Sequence, residues 1–163
     1  MIVNRQKRIP IPLRRFEEFL SRAQRRLKLS KESMTICLVS DREMERWNRA
    51  HRGKRGPTDV LSFPTDASNT RPGRPRKHRP QRNRQSGFPA FSTPNGSASY
   101  LGDIAIAPAV ARRNARCFGR TFDDEMRILI LHGMLHLMGY DHEADEGQME
   151  RREARLRRQL SLA

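Results

Sequence analysis

Cysteine is scarce in this chain, with Cys37 and Cys117 the only two among 163 residues. Two thiols cannot build the disulfide framework that small secreted domains depend on. Each lies in an apolar-rich segment, which predicts reduced core residues in a cytoplasmic protein. Long hydrophobic runs are missing as well. No stretch approaches the roughly eighteen apolar residues of a membrane-spanning helix, so no transmembrane helix, and no membrane association through one, is expected. Residues Met1–Lys7 lack the basic-then-apolar order of a secretory signal. No internal repeat is present. Hydrophobic residues make up 36%, lean but enough for a core in part of the chain, and the length suits one domain over residues 1–163.

Acidic residues are also few, 18 against 33 Lys and Arg, for a net charge of +15. An excess of that size suggests a polyanionic partner, with RNA or DNA first and an anionic membrane surface second. A basic surface with no specific role is the plain alternative. Seven of the cations fall between Arg71 and Arg84 with no acid among them, which leaves +8 for the rest of the chain. The wider stretch 67–99 is rich in Pro, Arg, Ser, Gly and Asn and nearly empty of aliphatic residues. Such a segment buries too little apolar surface to offset its ordering entropy, so a disordered insertion is expected rather than a second domain. Arg74, Arg76, Lys77, Arg79, Arg82 and Arg84 make it a candidate RNA-gripping arm, because flexible arginines neutralise phosphates without fixed geometry. A solvated spacer fits the same composition.

The remaining chain reads as mixed helix and strand. Ile2 to Arg5 suits a short strand. Pro12 suits a helix start, and Leu13, Phe16, Leu20, Ala23 and Leu27 follow at helical spacing beneath an Arg-rich outer face. Met34 to Val39 is a β-branched, apolar strand candidate. Ser40 and Glu43 fit a capping box that opens a helix carrying Met44 and Trp47. Asp59 to Phe63, stopped by Pro64, and Leu101 to Ile106 are further strand candidates. Helices are expected over Pro108–Arg116, from Phe122 to near Gly139, and from about Ala144 with Met149, Leu156 and Leu160 on one face. Strands and helices interleave and the sheet is small, which gives an α+β fold.

The chemistry concentrates in His132-Gly-Met-Leu-His136-Leu-Met-Gly139-Tyr-Asp-His142. Histidines four apart on a helix differ by about 40° in azimuth, so both rings project from one face. Gly139 permits a sharp turn, after which His142 can swing back to the same point. Three neutral imidazoles meeting there form an open tetrahedral site that keeps its fourth position free, as catalytic zinc sites do. Zn²⁺ is expected, one per chain, and Ni²⁺ or another divalent metal suits the same ligands. Asp141 is a candidate acceptor for a ligand N–H, or a plain turn former.

The spacing equals the metzincin pattern H-E-x-x-H-x-x-G-x-x-H, a zincin-like metal helix, with one element missing, because Gly133 replaces the glutamate. A peptidase of that kind needs this carboxylate to take a proton from the attacking water. The chain keeps the cage and discards the peptidase base, which argues against proteolysis. A structural zinc normally has four protein ligands. Three histidines with no suitably spaced cysteine favour an open, catalytic site.

These residues resemble the YbeY family of bacterial endoribonucleases, also called rRNA maturation factors. The histidine block carries the resemblance. So do Pro57-Thr-Asp-Val-Leu-Ser-Phe-Pro64 with Asn48 and Arg52 upstream, Leu101-Gly-Asp-Ile104, and a last helix with Met149, Glu153 and Leu156. Two departures stand out: the 67–99 stretch replaces a short connection, and His51 replaces an aromatic residue before the arginine, where it can pack similarly. The resemblance implies helices covering one face of a mixed sheet and zinc held by His132, His136 and His142. It also implies cleavage of single-stranded RNA, with roles in 16S rRNA 3′-end processing and ribosome quality control on the small subunit. In that reading Arg52 and His132 carry catalysis, with Arg52 pairing with the scissile phosphate. A zinc hydrolase of peptides or amides, and a non-catalytic ribosome-binding protein, are the competing readings. The oligomeric state is not encoded in any recognisable pattern.

Overall fold

The computed structural model describes residues 1–65, 100–141 and 145–162. The stretch expected to be disordered, 67–99, lies outside them, and with it Arg74, Arg76, Lys77, Arg79, Arg82 and Arg84. His142 also lies outside the described residues.

Among the described residues, the order is β1 (Ile2–Asn4), α1 (Leu13–Leu27), a 3₁₀ turn at Lys31–Ser33, β2 (Met34–Leu38), α2 (Asp41–Arg52), β3 (Val60–Pro64), β4 (Gly102–Ile106), α3 (Pro108–Cys117), α4 (Phe122–Leu137) and α5 (Gln148–Gln159). The strands form one mixed sheet in the order β1-β2-β4-β3. β1 and β4 flank β2 in parallel, with Ile2 opposite Ile36 and Ile36 opposite Ile104. β3 runs antiparallel to β4, with Ser62 opposite Ile104. The fold is α+β, as expected.

Strand alternation sorts the side chains onto two faces. Ile2, Ile36, Leu38, Ile104 and Ile106 join α1, α4 and α5 in the larger core, which includes Phe16, Met126, Ile130, Leu131, Met134 and Leu156. These three helices cover one face of the sheet, as the resemblance implies, but α2 and Val110 of α3 pack on the other. The intervening residues Cys37, Val39, Leu61, Ala105 and Ala107 form a smaller cluster on the other face, with Met44 and Trp47 of α2 and Val110 of α3.

The capping box is present at the start of α2. The Ser40 side chain accepts from the Glu43 N–H at 3.3 Å, while the Ser40 N–H donates to Glu43 Oε2 at 3.4 Å. Such caps contribute about 1 kcal/mol. The Pro57–Pro64 block begins with anchoring contacts. Asp59 Oδ2 accepts from Asn114 Nδ2 of α3 at 3.0 Å, and Asp59 Oδ1 accepts from the Val60 N–H at 2.8 Å.

Two expectations need correction. Cys37 is buried, but Cys117 is exposed. The buried positions of α3 include Ala111 and Ala115. Cys117 stands two residues on, about 200° around the helix, and so faces outward. The last helix begins at Gln148 rather than near Ala144. Gly147 at φ 77° is left-handed and breaks the helical path just before it, while Asp145 Oδ2 accepts from the Met149 N–H at 2.9 Å.

Candidate metal centre

The site is built on α4. Its start is fixed by Thr121, whose Oγ1 accepts from the Asp124 N–H at 3.0 Å, and by Asp123, Asp124 and Glu125 at the positive end of the helix dipole. Helical periodicity then turns Ile130, Leu131, Met134 and Leu135 into the core. His132 and His136 occupy the half-buried side instead. After α4 the chain turns at Gly139, φ 87°, whose N–H donates to the His136 carbonyl at 2.9 Å. Asp141 lies half-buried just past this turn, and its carbonyl accepts from the Asp145 N–H at 2.9 Å.

His132 Nε2 and His136 Nε2 stand 3.1 Å apart, as the four-residue spacing predicts. Two ring nitrogens this close carry no more than one proton between them, or else share a cation. Two ligand nitrogens about 2.0–2.1 Å from one zinc in tetrahedral geometry lie about 3.3 Å apart, so the donor pair fits that metal. Among the described residues, no group of three metal-ligating side chains meets. The third member of the pattern, His142, is outside them.

The other ring nitrogen of His132 has a partner that the sequence reading did not assign. His132 Nδ1 lies 2.9 Å from Glu153 Oε2 on α5. The second oxygen of Glu153 pairs with Arg157, one turn further along the same helix. Burial pushes the Glu153 carboxyl upward, but the His132 hydrogen bond and the Arg157 charge outweigh it and hold the group below the ordinary glutamate value. A glutamate between Met149 and Leu156, on the apolar face of an amphipathic helix, was the available sign in the sequence.

Gly133 turns away from the histidines and toward the sheet. A Cβ there would lie 2.8 Å from Ile104 Cγ2 and 3.0 Å from Ile104 Cδ1. Its carbonyl accepts from Ser62 Oγ at 3.3 Å. The position that carries the base in the peptidase pattern is therefore packed against β4, with no room for a side chain.

Arg52 is the exposed last residue of α2. Its helix belongs to the sheet face opposite α4 and is seated on Phe63. The Trp47 and Phe63 ring centroids are 6.3 Å apart, and those of His51 and Phe63 are 5.0 Å apart, both edge-on. His51 thus packs as an aromatic residue would. Burial, and then the neighbouring Arg52 charge, lower its pKa.

A family model described as Endoribonuclease YbeY matches residues 1–161. A protein named Endoribonuclease YbeY from Solibacter usitatus is 38% identical over 158 residues, 96% of this chain and 86% of that protein. One of the same name from Koribacter versatilis is 35% identical over 162 residues, covering 99% and 86%. Another from Nautilia profundicola is 36% identical over 134 residues, covering 82% and 76%. The solution structure of TM1509 from Thermotoga maritima has the same fold, with a TM-score of 0.59 at 24% identity over 98% of this chain and 89% of that one. Among the described residues, no helix is long and apolar enough to cross a membrane.

Proposed function

The chain belongs to the YbeY endoribonuclease family, and from that membership and the paired imidazoles we propose that it is a zinc-dependent endoribonuclease. Its substrate is single-stranded RNA. Its place is 16S rRNA 3′-end maturation and ribosome quality control, on the small subunit, in the cytoplasm. The observation that carries this reading is the convergence of His132 Nε2 and His136 Nε2 at 3.1 Å on one side of a buried helix.

His132, His136 and His142 would hold the cation, and Asp141 is the proposed acceptor for a ligand N–H. A bound divalent ion supplies Lewis-acid polarisation of a phosphoryl oxygen. All three ligands are neutral, so they leave the charge of the ion undiminished. Arg52 offers a planar, permanently charged fork that pairs with two oxygens of the scissile phosphate and offsets charge as it builds. No carboxylate can stand at position 133. Attack by water and attack by the RNA's own 2′-OH leave different product ends, which end analysis separates. The charge of +15 suits a phosphodiester substrate.

The test incubates the purified chain with single-stranded RNA, duplex RNA and casein, with and without chelator. Single-stranded RNA should be cut, chelation should stop the cutting, and added zinc should restore it. Arg52→Ala should lose cleavage while keeping its zinc and its fold. Full-rate cleavage in chelator would overturn the metal's role. Cut casein would replace this reading with a peptide hydrolase. RNA bound but uncut under metal-replete conditions would replace it with a non-catalytic ribosome-binding protein.

A further inference from the structure

Glu153 is placed where a carboxylate is costly. It sits on the inner face of α5 between Met149 and Leu156, 9% exposed. A pairing with Arg157 alone does not require that burial, since an i,i+4 pair forms equally well on an outer helix face. The inward placement brings Oε2 to His132 Nδ1 at 2.9 Å, while Oε1 faces Arg157. Both carboxylate oxygens are thereby used, one by the histidine and one by the arginine.

We propose that Glu153 and Arg157 are positioning residues for the histidine centre: the carboxylate fixes the tautomer and ring orientation of His132, and the guanidinium fixes the carboxylate. An ionised carboxylate only accepts, so the proton of the neutral imidazole is held on Nδ1. The lone pair is then on Nε2, the atom that faces His136 at 3.1 Å. The ring is delivered in the one form that can act as a ligand through Nε2, and it is held there from behind. Arg157 does not touch the histidine. It stops the carboxylate from rotating away. The link joins α4 to α5 across 21 residues of sequence, so docking of the last helix and readiness of the site are one event. The metal half of this inference rests on the function proposed above, whereas the tautomer half does not.

Nitrogen-15 spectra of the histidine-labelled chain, freed of metal and held at about pH 8, above the ordinary imidazole range, read the tautomer directly. His132 should carry its proton on Nδ1. A proton on Nε2 in the wild-type chain overturns the proposal without any variant. Glu153→Gln keeps the shape but can donate as well as accept, so the two tautomers should become mixed. Zn²⁺ alone, measured by competition with a chromogenic chelator, should bind Glu153→Gln about 10- to 100-fold more weakly. Arg157→Gln should weaken it by a smaller factor in the same direction. Zinc affinity within twofold of wild type, with His132 still protonated on Nδ1 in Glu153→Gln, overturns the positioning role. A wild-type chain with the Nδ1 tautomer that binds no zinc supports the Glu153 assignment and refutes the metal reading instead.

Discussion

Replacing Gly133 with alanine tests how tightly the metal helix is seated. The added methyl would meet Ile104 Cγ2 at 2.8 Å, Cδ1 at 3.0 Å and Cγ1 at 3.3 Å. Ile104 is fully buried in the central part of the sheet between β2 and β3. It is β-branched and therefore stiff at χ1, so it cannot swing clear. Overfilling a packed core costs about 1–3 kcal/mol. Alanine returns about 1 kcal/mol of helix preference over glycine. The difference is about 0–2 kcal/mol, and three contacts at 2.8–3.3 Å with one stiff side chain put it in the upper half, a loss of about 1–2 kcal/mol and a fall in Tm of roughly 2–8 °C for a chain of this size. Urea denaturation followed by circular dichroism reads the change. A second arm isolates the cause. In an Ile104→Ala background the obstructing atoms are gone, and Gly133→Ala should become neutral or stabilising. That background itself costs about 2–5 kcal/mol, within the stability of an ordinary domain. If Gly133→Ala alone is as stable as wild type, or more so, the close seat of α4 on β4 is not what excludes a side chain there.

Three further outcomes are expected. Cys37, with its thiol pushed up to about 11 chiefly by burial, should resist a thiol reagent at neutral pH, while exposed Cys117 reacts; one titratable thiol in the native chain and two after unfolding is the result sought, and two in the native chain contradicts the core assignment. Burial raises the Asp103 carboxyl, against the opposing pull of the hydrogen bond it accepts from the Tyr100 hydroxyl at 2.6 Å. The folded chain then holds that proton more tightly than the unfolded one. This group therefore subtracts stability as pH climbs from the ordinary aspartate range through its raised value. Asp103→Asn should flatten that part of a stability–pH curve, and an unchanged slope rejects the assignment. Deleting residues 70–96 should weaken RNA binding and reduce its salt dependence while leaving the thermal transition in place; an unaltered salt slope makes the segment a spacer.

What could be read in advance was local. The capping box at Ser40 and Glu43, the turn at Gly139 and the pairing of His132 with His136 depend on residues within one or two helical turns of one another, and the structure contains all three. That His51 packs as an aromatic residue would also followed, whereas its partner Phe63, on another element, did not. Relations made by tertiary contact were not legible. The value of Glu153 lies in a histidine on another helix. The reason for Gly133 lies in Ile104, on a strand that precedes it by many residues. The sequence shows that a carboxylate is missing at 133, whereas the structure shows that the position is filled by its neighbour. Cys117 was misplaced because an apolar-rich segment does not reveal which side of a short helix its last residue takes.

The antiparallel seam between β3 and β4 has a consequence for how this fold can change. Pro64 is paired with Gly102, the Thr65 N–H donates to the Leu101 carbonyl at 2.9 Å, and Thr65 Oγ1 donates to the Tyr100 carbonyl at 2.8 Å. The exit and the re-entry of the chain are therefore stitched together before any intervening residue matters. Lengthening a closed excursion is cheap, about 0.6 kcal/mol for each doubling. This junction is a natural port for foreign sequence: a tag, a reporter or a cross-linkable peptide spliced between Thr65 and Tyr100 should leave the helix that bears the histidines on its seat.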